Sequence, residues 1–173
     1  MSNLKTQAIA GVAAGAETQL MTKWPSIAAL WAGRVIGKGM ELIPIRIVGL
    51  KLSNLLFGLP LSLPAALLYL VQKFTGERFT ITNKSVQRWT GMGWRMIQRI
   101  ELPDIASMQV QQQSGQEFYH ASDLLLLNAK GDVVMRLEGL PHAEIFRENI
   151  TKARDAAMQV QASLNTIKAR QSA

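Results

Sequence analysis

The sequence predicts an α+β fold: a small antiparallel β-barrel or sandwich capped by a long C-terminal α-helix, preceded by N-terminal amphipathic and membrane-embedded helices. Three observations carry this. Short runs of alternating apolar and polar residues, separated by turn residues, recur from Glu77 to Leu137. A heptad-spaced apolar seam runs from Phe146 to Ile167. Between Leu52 and Val71 no charged residue occurs, over about the length that crosses a bilayer core as a helix.

Residues 1–42 read as a helical and interfacial region. The Ala-rich opening through Lys23 predicts a helix, and its weak apolar content, interrupted by Glu17, excludes a secretory signal. Gly11 and Gly15 form a small-xxx-small pair of little weight in so polar a stretch. Trp24-Pro25-Ser26 breaks the pattern. Ile27 to Met40 predicts an interfacial amphipathic helix in which Arg34 and Lys38, four apart, snorkel on one face. Gly33, Gly37, Lys38 and Gly39 superficially suggest a phosphate loop. The glycine spacing is one residue short and Gly39 stands where a Ser or Thr is needed, so the motif is rejected.

Residues 43–74 form the membrane-embedded segment. Pro60 and Pro64 each remove a backbone donor and predict a kink or break. Arg34, Lys38, Arg46 and Lys51 precede the uncharged run, and Lys73, Arg78, Lys84 and Arg88 follow it. This even split gives no orientation for a single span. It favours a re-entrant hairpin with both ends on the cytoplasmic side, arms at Ile45–Phe57 and Ala65–Phe74, and a tip at Pro60–Pro64. A kinked single span is the alternative, and a buried core helix of a soluble domain is the plainest reading.

From Glu77 the period changes from helix to strand. Phe79 and Ile81 alternate with Thr80 and Thr82, and Asn83 marks a turn before Val86 and Arg88. Gly91-Met92-Gly93 is a second turn, followed by Met96 to Ile100, and Pro103-Asp104 is a corner. Ile105 to Val110 lead into a polar strand, Ser114-Gly115 turn, Phe118–Ser122 make a short bridging strand, and Asp123 precedes LLLLN, a strand buried on both faces. Lys130-Gly131-Asp132 joins it to Val133–Leu137 as a hairpin. Pro141 suits a first helical position. The closing seam is Phe146, Ile150, Ala153, Ala157, Val160, Leu164 and Ile167. Its first half has the bulk to plug a barrel. Its second half, residues 157–173, continues past any barrel mouth and predicts a coiled oligomer or partner contact through Ala157, Val160, Leu164 and Ile167.

Charge distribution narrows the function class. Residues 1–72 carry six basic and two acidic side chains, and residues 73–99 carry six and one. Residues 100–173 carry seven and nine, so the positive charge brackets the apolar run and then disappears. Anionic headgroups attract such a pattern. Without a reading helix or an RNA-binding strand, no nucleic-acid partner is expected. The chain has no cysteine, and His120 and His142 are not at a ligand spacing, so no metal and no cofactor are expected. Glu101 with Asp104, and His120-Ala121-Ser122-Asp123, place acid, base and nucleophile types near one another. Adjacent strand residues point to opposite faces, however, and no catalytic residues are assigned.

ERFTITNKSV resembles the opening strand of the bacterial PH-like (pleckstrin-homology-like) domain family, ELPDIASMQVQQ its next landmark, and SDLLLLNAKGDVVMRLEGLPHAEIFRENI its closing hairpin and capping helix. The resemblance covers about 77–165, leaves the first 42 residues unexplained, and implies a PH-like domain with the start of its capping helix at 77–156. It also implies tethering beside membrane segments. The expected function is a membrane-anchored PH-like binding or scaffold module, an accessory subunit of a larger membrane assembly, without catalytic activity. The alternative is an anionic-lipid headgroup sensor using Arg34, Lys38, Arg46, Lys51, Lys73, Arg78, Lys84 and Arg88. Expected partners are membrane lipids and either a second copy or a larger membrane protein complex.

Overall fold

The computed structural model describes residues 16–41, 46–47 and 50–171, of which 46–47, 50–61, 163–164, 166–168 and 171 are described by their backbone alone. The Ala-rich opening with Gly11 and Gly15 lies outside them.

Two antiparallel sheets face each other. The first has the order β1 (Gln19–Lys23), β4 (Glu77–Thr82), β5 (Ser85–Thr90), β6 (Met96–Glu101). The second has the order β7 (Ser107–Gln111), β8 (Ala121–Leu127), β9 (Val133–Pro141). Alternation puts Phe79, Ile81, Val86 and Ile100 of the first sheet against Leu124, Leu126, Met135, Leu137 and Leu140 of the second. Leu102 and Ile105 seal the corner between the sheets, and Phe146, Ile150 and Ala153 of α3 (Ala143–Gln171) close the core. This is an α+β sandwich with a C-terminal helix, as expected. Truncating a core ring such as Phe146 would cost about 3–5 kcal/mol.

The N-terminal expectation needs correction. Gln19–Lys23 is a strand, not helix, and it pairs antiparallel with β4, Lys23 standing opposite Phe79. Its period of two explains this: Met21 packs on the core, and Thr22 reaches the Thr80 hydroxyl on the outer face at 3.1 Å. The sheet therefore begins well before residue 77, and residues 24–76 are an insertion between two neighbouring strands.

Within the insertion, the helix expected over Ile27–Met40 is a 3-10 turn at Ile27–Ala29, an extended Leu30, and then α1 (Trp31–Glu41). It is followed by a small ladder, β2 (Arg46–Ile47) with β3 (Leu50–Lys51), and then by α2 (Leu52–Thr75). The hairpin tip expected at Pro60–Pro64 is absent: α2 is one continuous helix through both prolines. The prolines lie four apart, so both missing donors fall on one side, and the helix continues through the loss. Among the described residues no helix is long and apolar enough to cross a membrane. The side chains of Leu52–Leu61, half of the uncharged run, lie outside them.

Three smaller corrections concern the ends of β8 and β9. Glu117–Tyr119 is a 3-10 turn and β8 starts only at Ala121, because His120 sits in the left-handed region at φ 48°. Asp123 lies within β8, not before it. Pro141 ends β9 instead of opening the helix, because His142, at φ 51°, cannot belong to a helical turn.

Candidate functional site

The glycines of the rejected phosphate motif bring α1 onto the sandwich. A Cβ on Gly33 would strike the Ile27 carbonyl, and one on Gly37 would strike the Gly115 carbonyl, so these positions serve close packing. Arg34 donates to the Gln113 side chain from the same helix. With α1 so fixed, Trp31, Arg34, Val35 and Lys38 line an open groove of about 300 Å³ with Gln113 and Ser114. Trp31 is 73% exposed.

The base of α2 forms a second locus. The helix ends at Thr75, Gly76 turns the chain, and β4 starts at once. The Gly91 N–H donates to the Gly76 carbonyl at 2.7 Å, which fixes the β5–β6 turn beside the helix end. That turn carries Met92 and Trp94, the latter 82% exposed. Trp24, Pro25, Tyr69, Gln72, Lys73 and Glu77 enclose a cavity of about 100 Å³. The Lys73 ammonium lies 5.8 Å from the Tyr69 ring centre, and the Arg78 guanidinium 5.7 Å from that of Trp89. Arg88 pairs with Glu77 at 2.5 Å.

The predicted basic set is thus divided. Lys73 and Arg88 flank Glu77 at the α2–β4 junction, Arg78 lies over Trp89 in the same ladder, and Arg34 and Lys38 share the groove. Lys84 lies beyond the opposite end of β4, roughly 20 Å from the junction at the usual strand rise. Arg46 and Lys51 face each other in the β2–β3 ladder, with side chains outside the described residues. Of the distal helix positions, Ala157 packs partly against the core and Val160 is 60% exposed; the side chains of Leu164 and Ile167 are outside the described residues.

Sequence reasoning missed the aromatics of the α2 cavity. Trp24 reads as a pattern break and Tyr69 as one more apolar residue, and only their shared cavity with Lys73 relates them. It also missed two polar nodes. Asp123, 1% exposed, accepts from the Gly139 N–H at 2.8 Å, from Gln116 at 2.6 Å, from Gln113 at 2.7 Å and from Arg136 at 2.6 Å. Burial alone would raise its carboxyl; the Gly139 N–H, Arg136 and Gln116 outweigh that and hold it below the ordinary carboxylate range. Glu17, just before β1, accepts from Thr82, Ser85, Gln87 and Arg99; burial opposes its ionisation, and Ser85, Thr82 and Arg99 outweigh it and hold its carboxyl low as well. His120 and His142 stack with ring centres 6.2 Å apart, a pairing their sequence distance conceals. Among the described residues no cluster of three or more potential ligands gathers around them.

A sandwich of four- and three-stranded sheets closed by one helix defines a PH-type module. The family model described as bacterial PH domain matches residues 8–154, and the chain belongs to that family. The match includes the N-terminal region, as the place of β1 in the first sheet requires. No curated protein and no solved structure matches the chain. Membership makes it a binding or scaffold module in the general sense.

Proposed function

We propose that the chain is a membrane-anchored PH-type scaffold in which the β2–β3 ladder and α2 enter the bilayer while the sandwich, with α1 packed on it, lies on the cytoplasmic surface. One observation carries this reading. Leu63, Leu67, Leu70, Val71 and Phe74 of α2 are all about half exposed or more, and their spacing places them within one arc of roughly 100°. The rest of the described chain leaves that stripe uncovered. At its lower end stand Tyr69, Lys73 and Trp24, the residue types that favour the membrane–water interface.

The sheet also bears on topology. Lys23 and Phe79 are partners in one ladder, so the insertion leaves and returns at the same edge. The re-entrant arrangement is retained, with its turn moved from Pro60–Pro64 to the β2–β3 ladder.

Carbonate or high-salt washing of membranes from cells expressing the full chain tests the proposal, since such washing strips proteins held by charge alone. The chain is expected to stay in the pellet, and Leu63→Asp with Leu67→Asp to release it, at about 2.5–3.5 kcal/mol per charge near a membrane helix centre. Release of the unsubstituted chain would overturn the anchor.

The groove of Trp31, Arg34 and Lys38 favours a second reading, an anionic-headgroup sensor. A fragment starting at residue 76 would lack β1, so the comparison uses the full chain. Arg34→Ala with Lys38→Ala should abolish any preference for anionic vesicles if the sensor reading is right, and leave vesicle binding unchanged if the scaffold reading is right.

A further inference from the structure

We infer that the β5–β6 turn inserts Met92 and Trp94 into the headgroup layer of the membrane that α2 enters, giving the sandwich its own contact with the lipid surface. This rests on the membrane reading and goes beyond it by fixing which end of the sandwich meets the lipid.

Strand direction sets the placement. β1, β4, β5 and β6 alternate in direction, so the chain leaves β1, enters β4 and passes from β5 to β6 at one end of the first sheet. Trp24, the base of α2 and residues 91–95 therefore share that end, and Lys84 lies at the other. The Gly91 N–H donates to the Gly76 carbonyl at 2.7 Å, two residues beyond Phe74, where the exposed stripe of α2 stops. A bilayer that receives Phe74 thus comes up to the turn.

The turn is held from within. The Gly93 N–H closes it on the Thr90 carbonyl at 2.7 Å, and the Thr90 N–H donates to the Arg95 carbonyl at 2.9 Å. A Cβ on Gly91 would strike the Lys73 carbonyl near the end of α2. Gly93 has φ 75°, and the Arg78 guanidinium lies against it. Both glycines therefore serve position, and the side chains beside them are left in water: Met92 is 50% exposed and Trp94 82%.

The exposed groups have the chemistry of the membrane–water interface. An indole joins an apolar body to an N–H donor and favours that depth. The flexible thioether of Met92 adapts to an irregular apolar surface. Arg95, exposed and next in the chain, supplies the positive charge that anionic headgroups attract. Glu77, at the same end, is paired with Arg88 at 2.5 Å and offers such headgroups little repulsion.

The test introduces Met92→Cys and, as a reference at the opposite end, Lys84→Cys into the full chain, which has no natural cysteine. Each carries an environment-sensitive fluorophore, and the chain is reconstituted in phosphatidylcholine vesicles containing phosphatidylglycerol. Vesicle flotation reports the anchor. A lipid carrying a nitroxide at headgroup level, and aqueous iodide, report the turn. The probe at position 92 should shift to the blue, be quenched by the nitroxide and be sheltered from iodide, and the probe at position 84 should show the opposite. Adding Trp94→Ser, which alters an exposed side chain, should return the probe at position 92 toward water without releasing the chain from the vesicles. Flotation with both probes equally open to iodide overturns the lipid contact and leaves the anchor standing. Shelter from iodide without quenching by the nitroxide places a protein surface over the turn and overturns it too. A chain that does not float removes the membrane reading and the lipid contact with it.

Discussion

At the residue scale, Asp123 ties the β7–β8 connection to β9 through one buried carboxylate. Through Gln113 and Gln116 it secures the β7–β8 connection, and through Gly139 it secures β9, whose Gly139 carbonyl in turn receives the Ser26 N–H at 2.8 Å. Replacing it with Asn keeps the shape, removes the charge, and turns an amide toward groups that already donate. Removing one partner of a buried ion pair costs about 3–5 kcal/mol. Because Arg136 is partly exposed and can regain water, Asp123→Asn is expected at the lower end of that range in denaturant unfolding. The sign with pH follows from the lowered carboxyl. The contribution of Asp123 is complete above the unfolded value of about 3.9 and disappears as pH falls through the lower folded value. The stability difference between wild type and Asp123→Asn should therefore be constant at neutral pH and shrink only in strong acid. None of this was legible in the sequence, where Asp123 reads as the last polar residue before an apolar strand; its donors lie seven to sixteen residues away and converge only in the fold.

At the element scale, two glycines of α1 give a matched pair. Gly37→Ala drives a methyl into the Gly115 carbonyl and should lift the helix from the sandwich, lowering the unfolding midpoint. Gly39→Ala, where a Cβ meets nothing within 4 Å, should raise stability by up to about 1 kcal/mol through helix propensity. Equal effects would mean that α1 does not pack as described. The distal half of α3 offers another test. At 1.5 Å per residue this 29-residue helix is about 43 Å long, and its core contacts fade after Ala157. Truncation after Gln159 should leave the thermal transition of the sandwich intact while reducing oligomer or complex size in gel filtration. Loss of the transition would assign the distal half to the core. The strands from β4 to β9 and α3 were readable because their apolar periods are local. β1 was not: five residues with a period of two sit in an Ala-rich stretch, and their partner strand is more than fifty residues away.

For the molecule as a whole, the fold constrains where its parts can sit relative to a membrane. Gly37 rests on Gly115, and Lys84 occupies the β4–β5 turn of the same sandwich. Single cysteines replacing Lys38 and Lys84, in a chain with no natural cysteine, should therefore react with an impermeant maleimide from the same side of sealed vesicles. Reaction from opposite sides would be incompatible with the packing of Gly37 on Gly115. The even charge split around the uncharged run is the sequence feature from which a same-side arrangement is expected. A tip at Pro60–Pro64 was the wrong expectation because α2 runs as one helix through both prolines.

The β1–β4 pairing also sets an order of assembly. As the chain leaves the ribosome, Gln19–Lys23 emerges first and must wait for Glu77–Thr82 before it has a partner. If residues 24–76 were a free coil, closing them would cost about 3.5 kcal/mol of loop entropy. Packing α1 and α2 into one compact unit first reduces that cost. The first sheet then completes only when the insertion has reached a form whose two ends lie side by side. A chain whose insertion went astray would leave β4 as a bare edge over Phe79 and Ile81, the kind of exposed strand that chaperones and proteases recognise. Completion of the first sheet through β1 thus depends on the segment that follows it having formed.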